Sequence, residues 1–250
     1  MTNKRQPSSP VLAASAPIRR TSTSDGTRGQ AADPPPPARD FTALTRVRAV
    51  EPRLPPGNGT GTELRILLES LRLFAHQGYP GTSTRQIATA VGIKAPSLYE
   101  HFPSKQHILE RLVLIGHRDL LEALERTLAE CPPDPVTRVR ALVRTHVLSH
   151  VTYPLLAIVT NDELHHLTPE RSAEALELRR RTEQLATEPG MRGVRDGVFD
   201  AAELITTTAA ISSMGVRAPY WFVPTPTLGP EDLADAYAEL AIRMLQPSST

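Results

Sequence analysis

The punctuation between Ser83 and Phe102 constrains this chain more than any other feature. Ser83 can open a helix with a capping box, its hydroxyl accepting from the Gln86 amide while the Gln86 side chain reaches back. Ile87, Ala88 and Val91 share one face. Gly92 then stops the helix, because glycine takes the left-handed conformation of a helix end at little cost. Ala95-Pro96 starts a second short helix, where proline has no amide hydrogen to leave unpaired, and the helix runs through Ser97, Leu98 and Tyr99 to Phe102. Two short helices joined by Gly92-Ile93-Lys94 match a helix-turn-helix, whose second helix can lie in a DNA major groove.

The chain around this unit is written in helical periodicity. Leu64, Leu67, Leu68, Leu71, Phe74 and Ala75 make one face of a preceding helix that stops at Gly78. Ser104 is placed to cap a long helix to about Ala129, with Ile108, Leu112, Ile115, Leu120, Leu124 and Leu128 inward. Further starts fall at Asp134-Pro135 (to about His150), Pro154 (to about His166) and Thr168-Pro169-Glu170 (to about Glu188). The last two are Asp200 (to about Val216) and Gly229-Pro230 (to about Leu245). The expectation from periodicity is an all-α fold of about nine helices, an N-terminal three-helix unit that holds the helix-turn-helix and then a longer helical body. Aromatic residues at 4% agree with a core of aliphatic side chains on helices.

With Leu98 and Phe102 turned inward, Lys94, Ala95, Ser97, Tyr99 and His101 are left facing outward. Thr84 and Arg85, beside the capping Ser83, can reach a phosphate through side chains and free amides. Lys105 can do likewise at the start of the next helix. The run from Ile66 to Leu112, ILLESLRLFAHQGYPGTSTRQIATAVGIKAPSLYEHFPSKQHILERL, resembles the DNA-binding domain of the TetR family of bacterial repressors. The likeness rests on LRLFAHQGY, the Thr82-Ser83 cap, IATAVGI and above all SLYEHFPSK. It implies DNA-contacting positions at Thr84, Lys94, Ser97, Tyr99, His101 and Lys105. Many members carry Lys where this chain has Ala95 and a small residue where it has Lys94, so which neighbour holds a phosphate stays open.

The resemblance also implies an effector-binding body and a homodimer. The ending MGVRAPYWFVPTPTLGPEDLADAYAELAIRML is similar to that of a subgroup linked to lipid, steroid or acyl-thioester catabolism, which implies a small hydrophobic or acyl-thioester effector. Family members dimerise through their last two helices, here Ala201 to Val216 and Glu231 to Leu245. Ala201, Ala202, Leu204, Ile205, Ala209, Ile211 and Met214 are more apolar residues than one exposed helix face needs. His146, His150, Tyr153, Trp221 and Phe222 are the candidate effector contacts, each with core packing as its plainer reading. His146 and His150 at four-residue spacing, followed by Asp162, Glu163, His165 and His166, allow a metal-responsive alternative, though no HExxH string accompanies them. Arg179, Arg180 and Arg181 form either a solvated helix face or a clamp for an anionic effector.

Charge and composition set the remaining bounds. Residues 1–59 hold nine Lys/Arg against four acids, a net of +5, which leaves −4 for the rest of a chain whose total is +1. With Pro34 to Pro37 and Ser/Thr clusters, those residues read as a disordered basic tail: an arm along DNA, a passive extension or a start assigned too far upstream. The expected domains are this tail (1–59), the DNA-binding domain (60–106) and the effector-binding and dimerisation domain (107–250). The lone Cys131 cannot form an intramolecular disulfide and reads as packing, which agrees with a cytoplasmic protein. No apolar run approaches the ~20 residues of a membrane span, so no membrane partner is expected. No GxSxG elbow, Walker loop or CxxC pair is present, and Gly57, Gly59 and Gly61 follow a Pro-rich linker instead of a strand. The expectation is therefore a regulator with no catalytic residue, cofactor or resident metal, whose partners are double-stranded DNA, a second copy and a small molecule.

Overall fold

A computed structural model of the chain describes residues 50–200 and 204–245. Among the described residues it has nine α-helices: α1 (Gly61–Gly81), α2 (Thr84–Val91), α3 (Ala95–His101), α4 (Lys105–Glu130), α5 (Pro135–Thr152), α6 (Pro154–Asp162), α7 (Pro169–Arg195), α8 (Leu204–Arg217) and α9 (Pro230–Leu245). Single 3-10 turns, Leu164–His166 and Ala218–Tyr220, follow α6 and α8. The only β pairing among the described residues is one bridge between Thr225 and Leu228. The fold is all-α, as the periodicity indicates.

Local chemistry explains most of the boundaries. The Gln86 amide donates to Ser83 Oγ at 3.2 Å and the Ser83 amide to Gln86 Oε1 at 2.8 Å, completing the capping box. Gly92 ends α2 at φ 76°, where a Cβ would be strained. α1 breaks at Gly78 (φ 78°), after which Pro80 leads one further turn to Gly81. Asp134 caps α5 by accepting from the Thr137 amide at 2.8 Å.

Four expectations need correction. Ser104 stands before α4 but accepts no helix amide; its hydroxyl is paired with His107 Nδ1 at 2.9 Å. The helix opened by Pro154 ends at Asp162, and a separate 3-10 turn completes the path to His166. α7 continues past Glu188 and through Pro189 to Arg195, because Phe199 lies where a Gly193 side chain would stand and Leu204 presses on Gly190. That packing outweighs the single hydrogen bond proline removes. Residues 50–58, assigned to the disordered tail, are held on the body: Pro55 is buried, Leu54 packs on the core and Arg53 donates to the Thr152 carbonyl at 3.4 Å. Residues 1–49 of the tail, and Ala201 and Ala202 of the expected dimer helix, lie outside the described residues.

Two apolar cores organise the chain. The first joins Ile66, Leu67, Leu71 and Phe74 of α1 with Ile87 and Val91 of α2, Leu98 of α3 and Ile108, Leu109 and Leu112 of α4. It continues without a break into Leu155, Leu156 and Val159 of α6 and Ala175 and Leu178 of α7. The expected division at residue 106 thus falls at the foot of α4, whose side chains serve head and body alike. The second core packs α5, α8 and α9 through Val139, Val147, Ile211, Leu233, Ala238 and Ile242, with Phe199 and Phe222.

Candidate nucleic-acid interface and ligand cavity

α2 and α3 are held from behind by Ile87, Val91 and Leu98, all 4% exposed or less, so their outer faces are free. Arg85, Lys94, Ala95, Tyr99 and His101 are exposed; Thr84 and Ser97 are half-buried. Tyr99 is 48% exposed, and its hydroxyl lies 3.2 Å from Thr84 Oγ1, which ties the start of α2 to the middle of α3. An aromatic ring so placed, among the small side chains Ala95 and Ser97, gives the face a contact point without blocking approach. Helix geometry leaves the first amides of α2 without helical partners, and Ser83 bonds the one on Gln86.

Lys105 differs from the expectation. Its ammonium donates to the carbonyls of Tyr79 and Thr82, each at 2.7 Å, and lies 4.0 Å from the centre of the Tyr79 ring. Burial pulls its pKa below the usual lysine value, with Glu163 acting in the opposite direction. Two of its three donors therefore close the end of α1, and only one is left for a phosphate.

Below the head, α4, α5, α6, α7 and α8, with Leu245 at the end of α9, line a largely apolar cavity that opens to solvent. Leu120, Leu124, Leu142, Val143, Leu156 and Ile211 are among its apolar lining. Of the candidate effector contacts, His146, His150 and Tyr153 line it. Trp221 and Phe222 do not: Phe222 is buried in the second core, and Trp221 stands edge-on to it at the surface. The Nδ1–H of His150 donates to the His146 carbonyl at 2.8 Å, and the two rings lie 4.3 Å apart. Burial lowers the pKa of both: that of His146 falls far below the histidine range, helped by His150, while the carbonyl contact partly offsets the effect at His150. Both are neutral at pH 7.

The pattern reading missed His117 and Thr160, which also line the cavity. His117 is pushed down to about 4 by burial, then by Arg179 and His150. The signal was available, since His117 continues the stripe Val113, Leu120, Leu124 on the inner face of α4. Arg179 reaches the cavity rim, paired with Glu183 at 3.1 Å, whereas Arg180 pairs with Glu177 and Arg181 with Glu125 on the outside. His165 and His166 sit at the head, His166 stacked on Tyr79, and among the described residues no three His, Cys, Asp or Glu are arranged to hold a metal. The metal-responsive alternative therefore has no geometry behind it. No single described helix is long and apolar enough to cross a membrane.

A helix-turn-helix head on a helical body with an internal cavity is the architecture of a DNA-binding regulator. Residues 66–112 match the family described as bacterial regulatory proteins, tetR family, and residues 132–245 match a tetracyclin repressor-like C-terminal domain. The chain is 31% identical over 150 residues to the HTH-type transcriptional repressor KstR2 of Rhodococcus jostii, spanning 58% of this chain and 73% of that protein. Against KstR2 of Mycobacterium tuberculosis the match is 27% over 128 residues and spans 64% of that relative. The structure of the TetR family regulator PfmR from Thermus thermophilus overlays with a TM-score of 0.64 at 31% identity, covering 72% of this chain and 97% of PfmR. AibR, solved in complex with isovaleryl coenzyme A and operator DNA, shares the fold at a TM-score of 0.65 and 23% identity, covering 72% of this chain and 97% of AibR. The chain belongs to the TetR family of bacterial transcriptional regulators.

Proposed function

We propose that the protein is a repressor that binds a near-palindromic operator as a homodimer and releases it when a small, mainly hydrophobic or acyl-thioester effector fills the cavity. The observation that carries this reading is the double duty of α4. Ile108 and Leu112 anchor the head, while Gly116, His117, Leu120 and Leu124, beginning one turn later, line the cavity. An effector can shift a DNA-binding equilibrium only by binding two arrangements unequally. A helix common to both sites supplies the means.

In this reading the domain of residues 60–106 reads DNA, with Tyr99, Ser97, Ala95, Lys94 and His101 on the groove-facing side. Thr84, Arg85 and the Ser83 turn face a phosphate, and Lys105 acts mainly as a brace. Residues 107–250 bind effector and pair two copies through α8 and α9. Support for the pairing comes from the outer face of α8, where Ile205 is 87% exposed beside exposed Ala209 and Ser213, small residues that permit close helix approach. His146, His150 and Tyr153 are the effector contacts. The kinship with KstR2, and the acyl-thioester held by AibR, are the grounds for that ligand class, and the protein works in the cytoplasm beside its operator without turning its ligand over.

The test is a gel-shift titration on DNA upstream of the protein's own gene, near physiological salt with excess competitor. A saturable complex on a near-palindrome, lost in Tyr99→Ala while sedimentation still reports a dimer, supports the reading. A Tyr99→Ala protein with unchanged affinity refutes the groove assignment, and a monomer that binds normally refutes the pairing.

A further inference from the structure

Two cavity-lining side chains have an unanswered hydrogen-bonding atom. His117 and Thr160 are 6% and 5% exposed, and neither His117 Nε2 nor Thr160 Oγ1 has a partner. Buried polar atoms are rarely left so, because leaving one unmet forfeits its hydration with nothing in return. The two belong to one stretch of wall. Thr160 of α6 fills the space that a side chain on Gly116 would need, and Gly116 immediately precedes His117 on α4.

The charges around this wall exclude an anion. Arg179 of α7 is the cation that His117 feels, and it is paired with Glu183 at the rim. His146 and His150 of α5 are kept neutral by burial, and Asp119 of α4 has its carboxyl raised, first by burial and then by Glu122. A carboxylate brought here would lose its water without gaining a free counter-charge. An uncharged oxygen has what it needs: a neutral imidazole with its proton on Nε2 and a threonine hydroxyl can donate to its two lone pairs.

We propose that the cavity takes an apolar ligand whose buried end carries one uncharged oxygen, a ketone, ester or thioester carbonyl or a hydroxyl, held by His117 Nε2 and Thr160 Oγ1. This rests on the reading of the cavity as the effector site. The rest of the ligand lies along Leu120, Leu124, Leu142 and Ile211, and any charged portion stays outside, at the rim where Arg179 stands.

The experiment is calorimetric titration of the full chain with three probes of one carbon skeleton: propiophenone, propylbenzene and 3-phenylpropionate. Propiophenone is expected to bind about tenfold more tightly than the other two. Thr160→Val, which keeps the side-chain shape, should weaken propiophenone about fivefold, leave propylbenzene unchanged and raise Tm, since it removes an unmet hydroxyl. His117→Phe should act on the ketone in the same way, and the two variants check each other if one folds poorly. Equal binding of ketone and hydrocarbon, or tighter binding of 3-phenylpropionate, overturns the proposal while leaving an effector site in place. Tight ketone binding that never alters operator affinity keeps the oxygen anchor and removes the effector reading. Saturable binding by none of the three overturns both.

Discussion

Replacing Lys105 with Met separates two roles that a basic residue at the foot of a DNA-binding head can play. In the structure its ammonium closes the carbonyls of Tyr79 and Thr82 and rests on the Tyr79 ring. Hydrogen bonds from a charged donor contribute about 1.5–3 kcal/mol each when buried, and a cation over an aromatic ring about 0.5–1 kcal/mol at an exposed site. Lys105 is half-exposed, so water replaces part of what is lost, and a net destabilisation of about 2 kcal/mol is expected. At about 2–4 °C per kcal/mol for a domain of this size, Tm should fall by roughly 4–8 °C. The methionine stem preserves the packing of the aliphatic part, so the loss belongs to the ammonium. The assay pairs thermal unfolding with operator affinity across a salt series, where each lost phosphate contact lowers the slope of log K against log salt by about 0.9. The brace predicts a lower Tm with the slope nearly unchanged. An unaltered Tm with a slope reduced by about 1.8, one phosphate contact from each protomer of the proposed dimer, would show that Lys105 holds a phosphate and that its two carbonyl bonds matter little.

Four further outcomes can be checked. Tyr99→Ala should change stability by no more than about 0.5 kcal/mol, because the residue is 48% exposed, while abolishing specific DNA binding; a large fall in Tm would make Tyr99 a packing residue. Gly193→Ala sets a methyl group against the Phe199 ring and should cost about 1–3 kcal/mol by overpacking, measured by denaturant midpoint; an unchanged midpoint would mean that α7 does not run through Pro189 against that ring. His117 is held near pKa 4 in the fold against about 6.5 unfolded, so its contribution is complete above pH 6.5 and is lost as pH falls toward 4, up to about 3 kcal/mol. His117→Phe should flatten that acid limb in part, His146 and His150 retaining the rest; an identical limb would place the titration elsewhere. Deleting residues 1–49, which carry the same net +5 as residues 1–59, should flatten the salt dependence of DNA binding and keep its specificity, and loss of specificity would make the tail part of the reader.

What could be read from the sequence was what local chemistry decides. The Ser83–Gln86 box and the left-handed Gly92 define α2 within ten residues, and no distant contact is needed to see them. The family likeness of SLYEHFPSK then gave the helix pair a direction that spacing alone could not. Where long-range packing competes with a local signal, the local reading failed. The spacing ends this helix near Glu188, but Phe199 against Gly193 holds it together through Pro189 to Arg195. Pro55 looked like linker, but the segment around it lies on the core. The cavity was out of reach for a related reason: its wall draws on six helices, so membership depends on the fold as a whole. Trp221 and Phe222 suit a mostly apolar pocket wall by type, but the fold places them in and beside the second core; His117, which does line the wall, stands in an inward stripe where a histidine reads as packing.

The packing also bears on how a filled cavity would act at the head. Val159 of α6 is in the core that holds the head, while Thr160, the next residue, faces the cavity wall across Gly116 of α4. At that crossing the two helices are separated by a threonine side chain on one side and no side chain on the other. Packed interiors compress little, so a ligand seated there cannot be absorbed by a small adjustment of one side chain. It must either fit the gap between α4 and α6 as it stands, leaving the head where it is, or move one helix against the other. Gly78 of α1 sits against Glu163, just beyond the end of α6, and Gln106 of α4 donates to the His166 carbonyl at 3.3 Å, so a shift of α6 is delivered to both ends of the helix-turn-helix support. Under the proposed function the glycine is then the sensitive position. Gly116→Ala would drive Thr160 aside without any ligand, and an operator affinity already low in that variant, with effector adding little, is what this geometry demands.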